Sequence, residues 1–476
     1  MTVALSAWHG DTVVVGAGSA GSVVAAELSR DPSRSVLVVE AGTGRSDPAL
    51  AARAADGSHL PIGADSPLVS RYPAELTGRP GSTAQLVRGS TVGGSGAVNG
   101  GYFCRALPHD IDGYPAGWDW PTVLEHFRAI ETDLDFAGPQ HGDRGPIPVR
   151  RTGEMCSGTD RFVRGAQRAG FGWIADLNDA GAGAGVGAVP LNIVDGVRTG
   201  PGAAYLLPAL SRPNLTLLTG VRAQRVQIAA SRAIGVTAVG PDGPLQLAAD
   251  RIVLCAGAIE TAHLLMLSGI GEPAMLRAVG IDVVAGLPVG AYCADHPEWL
   301  LPADWPGSPG RPVLEAVLHT DDGLELRPYT TGFAAMMGAA VRDAPQIGVA
   351  LMRPRARGRL TLMSADPAVP PRIEQRYDSE PADLADLRRG VELAAEVVGS
   401  TVQAAQPIWS TSQHLCGSAP IGADGDDRAV LDGRCRVRGV DGLWVVDGSA
   451  LPGVPSRGPH ASITMLAHRA VEFLNP

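Results

Sequence analysis

Lysine is absent from this chain, and all 39 basic residues are arginine. With alanine and glycine abundant, this reads as the codon bias of a GC-rich genome and carries no functional meaning. Positive charge is in short supply: the net charge of −10 argues against nucleic acid as the main partner. The six cysteines, Cys104, Cys156, Cys255, Cys293, Cys416 and Cys435, are scattered without a C-x-x-C pair, so neither a disulfide framework nor a zinc site is expected. The eleven histidines show no H-E-x-x-H spacing, and no metal is expected. No apolar run approaches the roughly 20 residues needed to cross a bilayer. The first residues lack a basic stretch ahead of an apolar one, so no leader is read there. A cytoplasmic protein is the expectation, with peripheral contact at the inner face of the membrane left open.

What remains is a chain of 476 residues, 45% hydrophobic and 18% charged, with 61 glycines and 38 prolines. That composition suits a globular, loop-rich α/β protein of two or three domains. Near the N-terminus an apolar run over 11–15 ends at Gly16 and opens Gly16-Ala17-Gly18-Ser19-Ala20-Gly21. Small residues at Ala20, Gly21, Ala25 and Ala26 fit a helix reaching about Ser29, and a second apolar run over 35–39 ends in Glu40. Strand, glycine turn, helix, strand and acid stand in the order of a dinucleotide site. The glycines let a pyrophosphate approach the helix N-terminus, and the acid is placed to accept from a ribose. FAD and NAD share the ADP half, and this unit does not separate them.

Two further glycine-dense stretches carry more information. The loop 88–101 includes Arg88, Gly93, Gly94, Asn99, Gly100 and Gly101, a density that leaves backbone amides free to face an anion or a ring edge. A buried strand then enters Cys255-Ala256-Gly257-Ala258 and an apolar helix that stops at Ser268-Gly269-Ile270-Gly271. Near the C-terminus His414 and His460 flank the strand that ends in Asp447-Gly448.

The first of these stretches is similar to the R-G-x-x-x-G-G-S signature of the glucose–methanol–choline oxidoreductase family, and the second to its G-A-I-x-T-x-x-L-L-x-x-S-G-I-G signature. Val289-Gly290 through Asp295-His296-Pro297, the run 357–367 and the C-terminal 442–470 also fit, so the resemblance covers nearly the whole chain. It implies FAD as cofactor and a Rossmann-like FAD-binding domain with an inserted sheet-and-helix substrate domain. The implied division is 8–150, 196–295 and 411–476 for the FAD domain, 151–195 as a connecting segment on the substrate side, and 296–410 for the insertion. Gly16, Gly18, Ser19, Ala20, Gly21, Glu40, Ala41, Arg88, Gly93, Gly94, Asn99, Gly100, Val221, Ala256, Gly257, Asp447, Gly448, Ala461 and Ser462 are implied to hold the cofactor. Some members attach the flavin through a histidine just before the loop asparagine; Val98 stands there, so the FAD is expected to be non-covalent.

The implied reaction is oxidation of a CH–OH donor, which removes a hydride from carbon and a proton from oxygen. The proton needs a base that works near neutral pH, and an imidazole suits the task. His414, in His-Leu-Cys-Gly-Ser, is assigned as the base, and His460 as the group that positions the oxygen. After Pro459 the spacing of Ile463, Leu466, Ala467, Ala470 and Val471 predicts a helix whose N-terminus, as in the family, points at the flavin.

Within the insertion, 314–331 and 346–362 read as strands and 383–398 as an amphipathic helix. The run 181–187 reads as a flexible glycine loop, His296 as a turn residue and His468 as a packing or surface residue. Arg353, Arg355, Arg357 and Arg359 alternate, which on a strand puts four guanidinium groups on one face. That face is either solvated or a dock for an anionic partner or lipid head groups. Several stretches, 55–68 and 192–207 among them, resemble actinobacterial members of the family encoded with the mycofactocin pathway. The implied donor is then mycofactocinol, a reduced peptide-derived cofactor, and the implied electron acceptor is respiratory. The alternatives are an oxygen-using small-alcohol oxidase, a lyase of the same fold and a non-enzymatic flavoprotein carrier.

Overall fold

The computed structural model describes residues 7–44, 47–339, 343–399 and 407–474. Residues 1–6, from which no leader was read, lie outside these, as do 340–342 and 400–406 of the expected insertion.

The first sheet forms where the sequence offers uninterrupted apolar runs. Leu215–Thr219, Val36–Glu40, Ala7–Val15 and Gly243–Leu254 lie side by side in parallel. Residues 36–40 are buried at every position, as expected of an inner parallel strand covered on both faces. Arg232–Gly240 and Arg222–Ala229 extend the sheet antiparallel, and Leu443–Val445 adds in parallel with Ile252 opposite Leu443. Helices Ser19–Leu28 and His460–Leu474 pack together over it, burying Val23, Val24, Met465 and Leu466 in one apolar cluster.

The second sheet runs Ile408–Thr411, Pro297–Pro302, Gln346–Leu351, Leu324–Pro328, Ala316–His319, Gly185–Ala188 and Trp173–Ile174. Its strands alternate sides with period two. Trp299, Leu301, Leu324 and Leu326 meet helices Ser157–Arg168 and Pro381–Val398 in a second apolar cluster. Glu298, Leu300 and Arg327 lie on the opposite face and line the main cavity. A third, smaller sheet pairs Val69–Glu75 and Thr83–Gly89 with Arg359–Thr361 and Arg372–Glu374.

Several expectations need correction. The run 314–331 is a hairpin, Ala316–His319 and Leu324–Pro328, turning near Gly323 at φ +88. The run 346–362 is divided between the second and third sheets. Its link holds Pro354, which has no N–H to give a ladder, while the amides of Arg355 and Ala356 both donate to the Asp383 carboxylate at 2.8 Å. The four arginines therefore do not share a strand face. Arg353 donates to the Asp321 carbonyl, Arg355 pairs with Asp383 and Asp386, and Arg357 donates to the Pro354 and Ala356 carbonyls. The glycine run also ends differently, since Gly185–Ala188 is a fully buried strand of the second sheet.

Candidate active site

Strand Ala7–Val15 delivers the chain to Gly16, whose φ of +100 only glycine adopts without strain. Side chains are excluded here by contact as well. A Cβ on Gly21 would lie 1.9 Å from the Gly16 carbonyl oxygen, and one on Gly94 would lie 2.7 Å from Gly18 Cα. The turn 16–21 and the loop 88–101 thus press together and form one wall of a cavity of about 580 Å3. That volume falls within the roughly 300–1,000 Å3 usual for small-molecule sites. Helix Ser19–Leu28 begins at this wall with no side-chain cap at Gly18 and no acid in its first turn. Its first N–H groups are left for an anion, and they fit the pyrophosphate of a dinucleotide.

Of the expected cofactor residues, Gly16, Gly18, Ser19, Ala20, Glu40, Ala41, Arg88, Gly94, Asn99, Gly100, Val221, Ala256, Gly257, Asp447 and Gly448 line this cavity. Gly21, Gly93, Ala461 and Ser462 do not. Gly21 serves helix–turn packing, Gly93 (φ +94) donates its N–H to the Ala17 carbonyl, and Ala461 and Ser462 are buried in the first turn of the last helix. Two acids are partly committed to the protein itself. Glu40 accepts from the amides of Ala17 and Gly42, both at 2.9 Å, leaving one lone pair per oxygen for a ribose. Asp447 accepts from the Gly257 amide at 2.8 Å and from Thr261 and Ser449, so its carboxylate ties the 256–257 turn to the C-terminal segment. Burial raises the carboxyl pKa of both.

His414 and His460 line the same cavity, and a neighbour holds each at Nδ1. His460 opens the last helix, and its Nδ1 lies 3.1 Å from Asn99 Nδ2. Asn99 Oδ1 accepts from the Gly101 amide at 3.0 Å, which orients the side-chain NH2 toward His460. His460 Nδ1 must then accept, and the ring proton sits on Nε2, which has no protein partner. Gly96 leaves room there, for a Cβ on it would stand 2.7 Å from that nitrogen.

His414 is held from behind by His296. Their Nδ1 atoms are 2.9 Å apart with the rings at 87°. His296 is therefore not a turn residue; it is fully buried and backs the cavity wall. The carbonyls of Pro455 and Met352 face it, outside good hydrogen-bond geometry. The two Nδ1 atoms share one proton, and with it on His414 the His296 Nδ1 accepts. His414 Nε2 is then a bare lone pair. Burial keeps all three rings neutral: it holds His414 well below the usual range, His296 down to about 3 and His460 to about 4, with like charge adding to each.

The far side of the cavity is the face of the second sheet. Leu60, Ile62, Leu300, Val313, Leu314 and Phe333 make it largely apolar. A buried polar network crosses it: Tyr329 and Arg327 donate to Glu298 at 2.8 and 3.3 Å, Arg327 donates to Ser412 at 2.7 Å and to Glu325 at 2.5 Å, and Tyr102 donates to Glu325 at 2.9 Å. These residues are not apparent from the sequence motifs. The signal that could reveal them is charge at alternate positions of an apolar strand, Glu325 and Arg327, which on a solvated edge would look the same.

Elsewhere His468 packs against His126 with Nδ1 atoms 2.8 Å apart, and Met336 is core. Glu131, Asp133 and His141 bring ligand-type atoms within 4.8 Å of one another. Arginines already serve both carboxylates: Arg105 pairs with Glu131, and Arg151 meets Asp133 at 2.6 Å.

Family models described as GMC oxidoreductase match residues 10–298 and 354–467. The chain is similar to an uncharacterized GMC-type oxidoreductase in the thcA 5′ region of Rhodococcus erythropolis, 40% identical over 489 residues spanning 98% of each chain. It is 29% identical over 526 residues to the oxygen-dependent choline dehydrogenase of Brucella anthropi, covering 98% of this chain and 95% of that one. Among solved structures it is similar to pyridoxine 4-oxidase from Mesorbium loti, with a TM-score of 0.87, 26% identity and 97% and 98% of the two chains covered. A formate oxidase shares the fold at a TM-score of 0.87 and 23% identity over 99% of each chain.

Proposed function

The chain belongs to the GMC oxidoreductase family, FAD-dependent enzymes acting on CH–OH donors, and from that premise we propose that it oxidises an alcohol with His414 as base and His460 as the group that holds the oxygen. The observation that carries this reading is a pair of buried imidazoles lining one cavity, each held at Nδ1 by a neighbour, His296 for His414 and Asn99 for His460, which leaves Nε2 of each for the substrate oxygen. FAD bound in the glycine cradle supplies the acceptor for the hydride that leaves the carbinol carbon. His460 donates to the substrate oxygen and fixes its place. His414 takes the hydroxyl proton, and its Nδ1–H···His296 bond holds the ring so that Nε2 stays aimed at the cavity. The apolar wall keeps water from competing for that nitrogen.

Val98 fills the position of the link-bearing histidine, and it is buried without a nucleophilic atom, which supports non-covalent FAD. On the finer reading the donor is mycofactocinol and the acceptor a respiratory component met at the inner face of the membrane, the chain working in the cytoplasm. The resemblance of stretches such as 55–68 and 192–207 supports it. No helix among the described residues is long and apolar enough to cross a membrane. A second reading, oxygen as acceptor, is favoured by the similarity to an oxygen-dependent choline dehydrogenase and to a pyridoxine 4-oxidase.

Anaerobic mixing with mycofactocinol, followed by flavin absorbance, separates these readings. Bleaching that lasts until a quinone-like acceptor is added, with little peroxide on later exposure to air, is the expected result. Prompt reoxidation by air with stoichiometric peroxide would replace the respiratory acceptor by oxygen. No bleaching by mycofactocinol, with bleaching by a simple alcohol, would discard the donor and keep the chemistry.

A further inference from the structure

We propose that Arg457, with His319 and Arg353, forms a binding site for a small oxyanion, a carboxylate or phosphate group, behind the wall of the catalytic chamber. A second cavity of about 260 Å3 lies there, lined in part by His109, His319, Thr320, Arg353, Ser456 and Arg457. The hairpin Ala316–His319/Leu324–Pro328 contributes one side, and the loop that leads into the last helix contributes the other.

Arg457 is only 5% exposed, and among the described residues its charge reaches the nearest carboxylate, Glu325, only beyond ion-pair contact. A guanidinium removed from water without a contacting carboxylate is an unstable arrangement. Its hydrogen bonding is also incomplete. Nη1 donates to the Ser456 carbonyl at 3.1 Å, while Nε is buried without an acceptor and Nη2 has none among the described residues. The unused Nε–Nη2 edge is the one that forks a carboxylate or phosphate. His319, 2% exposed, is a second unsatisfied group, with neither ring nitrogen hydrogen-bonded.

Nearby acids do not supply the missing acceptor. Glu325, 3.4 Å from His319 Nδ1, is held by Arg327 and Tyr102. Asp110 accepts from the amide and hydroxyl of Ser456 at 2.8 and 2.9 Å. Asp321 faces the cavity, accepts from the Ala184 amide at 3.1 Å, and is offset by Arg353, which stands exposed at the rim and donates to its carbonyl. Glu325 shares its charge with Arg327 and feels Arg457 only at longer range, so the Nε–Nη2 edge of Arg457 is left without an acceptor. Arg457 also immediately precedes Gly458, Pro459 and His460, which line the catalytic chamber, so an anion held here would stiffen the loop that carries them.

The test is calorimetric titration of the FAD-loaded enzyme with inorganic phosphate and, separately, with acetate, at constant ionic strength set by chloride. Saturable binding of one anion per chain is expected, weakened by roughly tenfold or more in Arg457→Met and by about threefold in Arg353→Ala. Tighter phosphate assigns a tetrahedral ligand, and tighter acetate a carboxylate. Absence of saturable heat for both, or unchanged binding by Arg457→Met, would overturn the proposal. If Arg457→Met fails to retain FAD, wild-type crystals soaked in sodium selenate decide the matter. An anomalous peak within hydrogen-bonding distance of Arg457 Nε supports the site, and water alone at that position refutes it.

Discussion

His414 and His460 are both held at Nδ1, by His296 and Asn99, and the different roles of their Nε2 atoms make their substitutions separable. An amide at position 460 can still donate to the substrate oxygen, so His460→Asn should retain more flavin reduction than His460→Ala, whose loss should be about 10²-fold. Equal losses would argue against a positioning role. His296→Phe leaves His414 Nδ1 without an acceptor and lets the ring change tautomer. The expected result is a drop in kcat of roughly tenfold, with a displaced pH profile and unchanged FAD content. A profile identical to wild type would mean that His296 only fills space. The two cavity histidines were legible because each sits in a motif. His296 was not, because Asp295-His296-Pro297 reads locally as a turn, and its partner lies 118 residues away.

At the scale of elements, the chamber depends on strands whose two faces do different work. Gly348 shows the constraint: a Cβ there would stand 1.9 Å from Glu298 Oε1. Gly348→Ala should displace Glu298 and its partners Tyr329, Arg327 and Ser412, raising KM several-fold while FAD stays bound. Loss of FAD with unchanged KM in the remaining holoenzyme would contradict that division of labour. The nucleotide unit was readable because strand, glycine turn and helix are local and consecutive. The substrate face was not, because strands from residues 173 to 411 meet in one sheet. The arginine alternation shows a related limit. Period two correctly put the side chains outside, at Arg353, Arg355 and Arg357, but Asp383 captures the backbone amides a strand would have used.

Across the whole molecule, two properties follow from groups that take no part in the proton transfer. Acid precipitation of the holoenzyme should release all FAD to the supernatant, since Val98 offers no atom for a covalent bond; a yellow pellet would contradict this. His141 is held between Asp133 and Asp176 at 3.0 and 3.2 Å, and the hydrogen bond to Asp133, then that to Asp176, raises its pKa from 6.5 to about 9. A raised pKa contributes stability that is fully present below about 6.5 and is lost as pH rises through about 9. Wild type should therefore lose roughly 1–3 kcal/mol over that window relative to His141→Gln. Parallel thermal-unfolding curves for the two proteins would show that the pair is not coupled to folding. The most direct test of the account is the anaerobic rate of flavin reduction by a saturating alcohol in wild type and His414→Ala, each fully loaded with FAD, from neutral to alkaline pH. The expected result is a loss of about 10²-fold or more at neutral pH that narrows as hydroxide replaces the missing base. A variant that reduces its flavin at the wild-type rate across that range would contradict it.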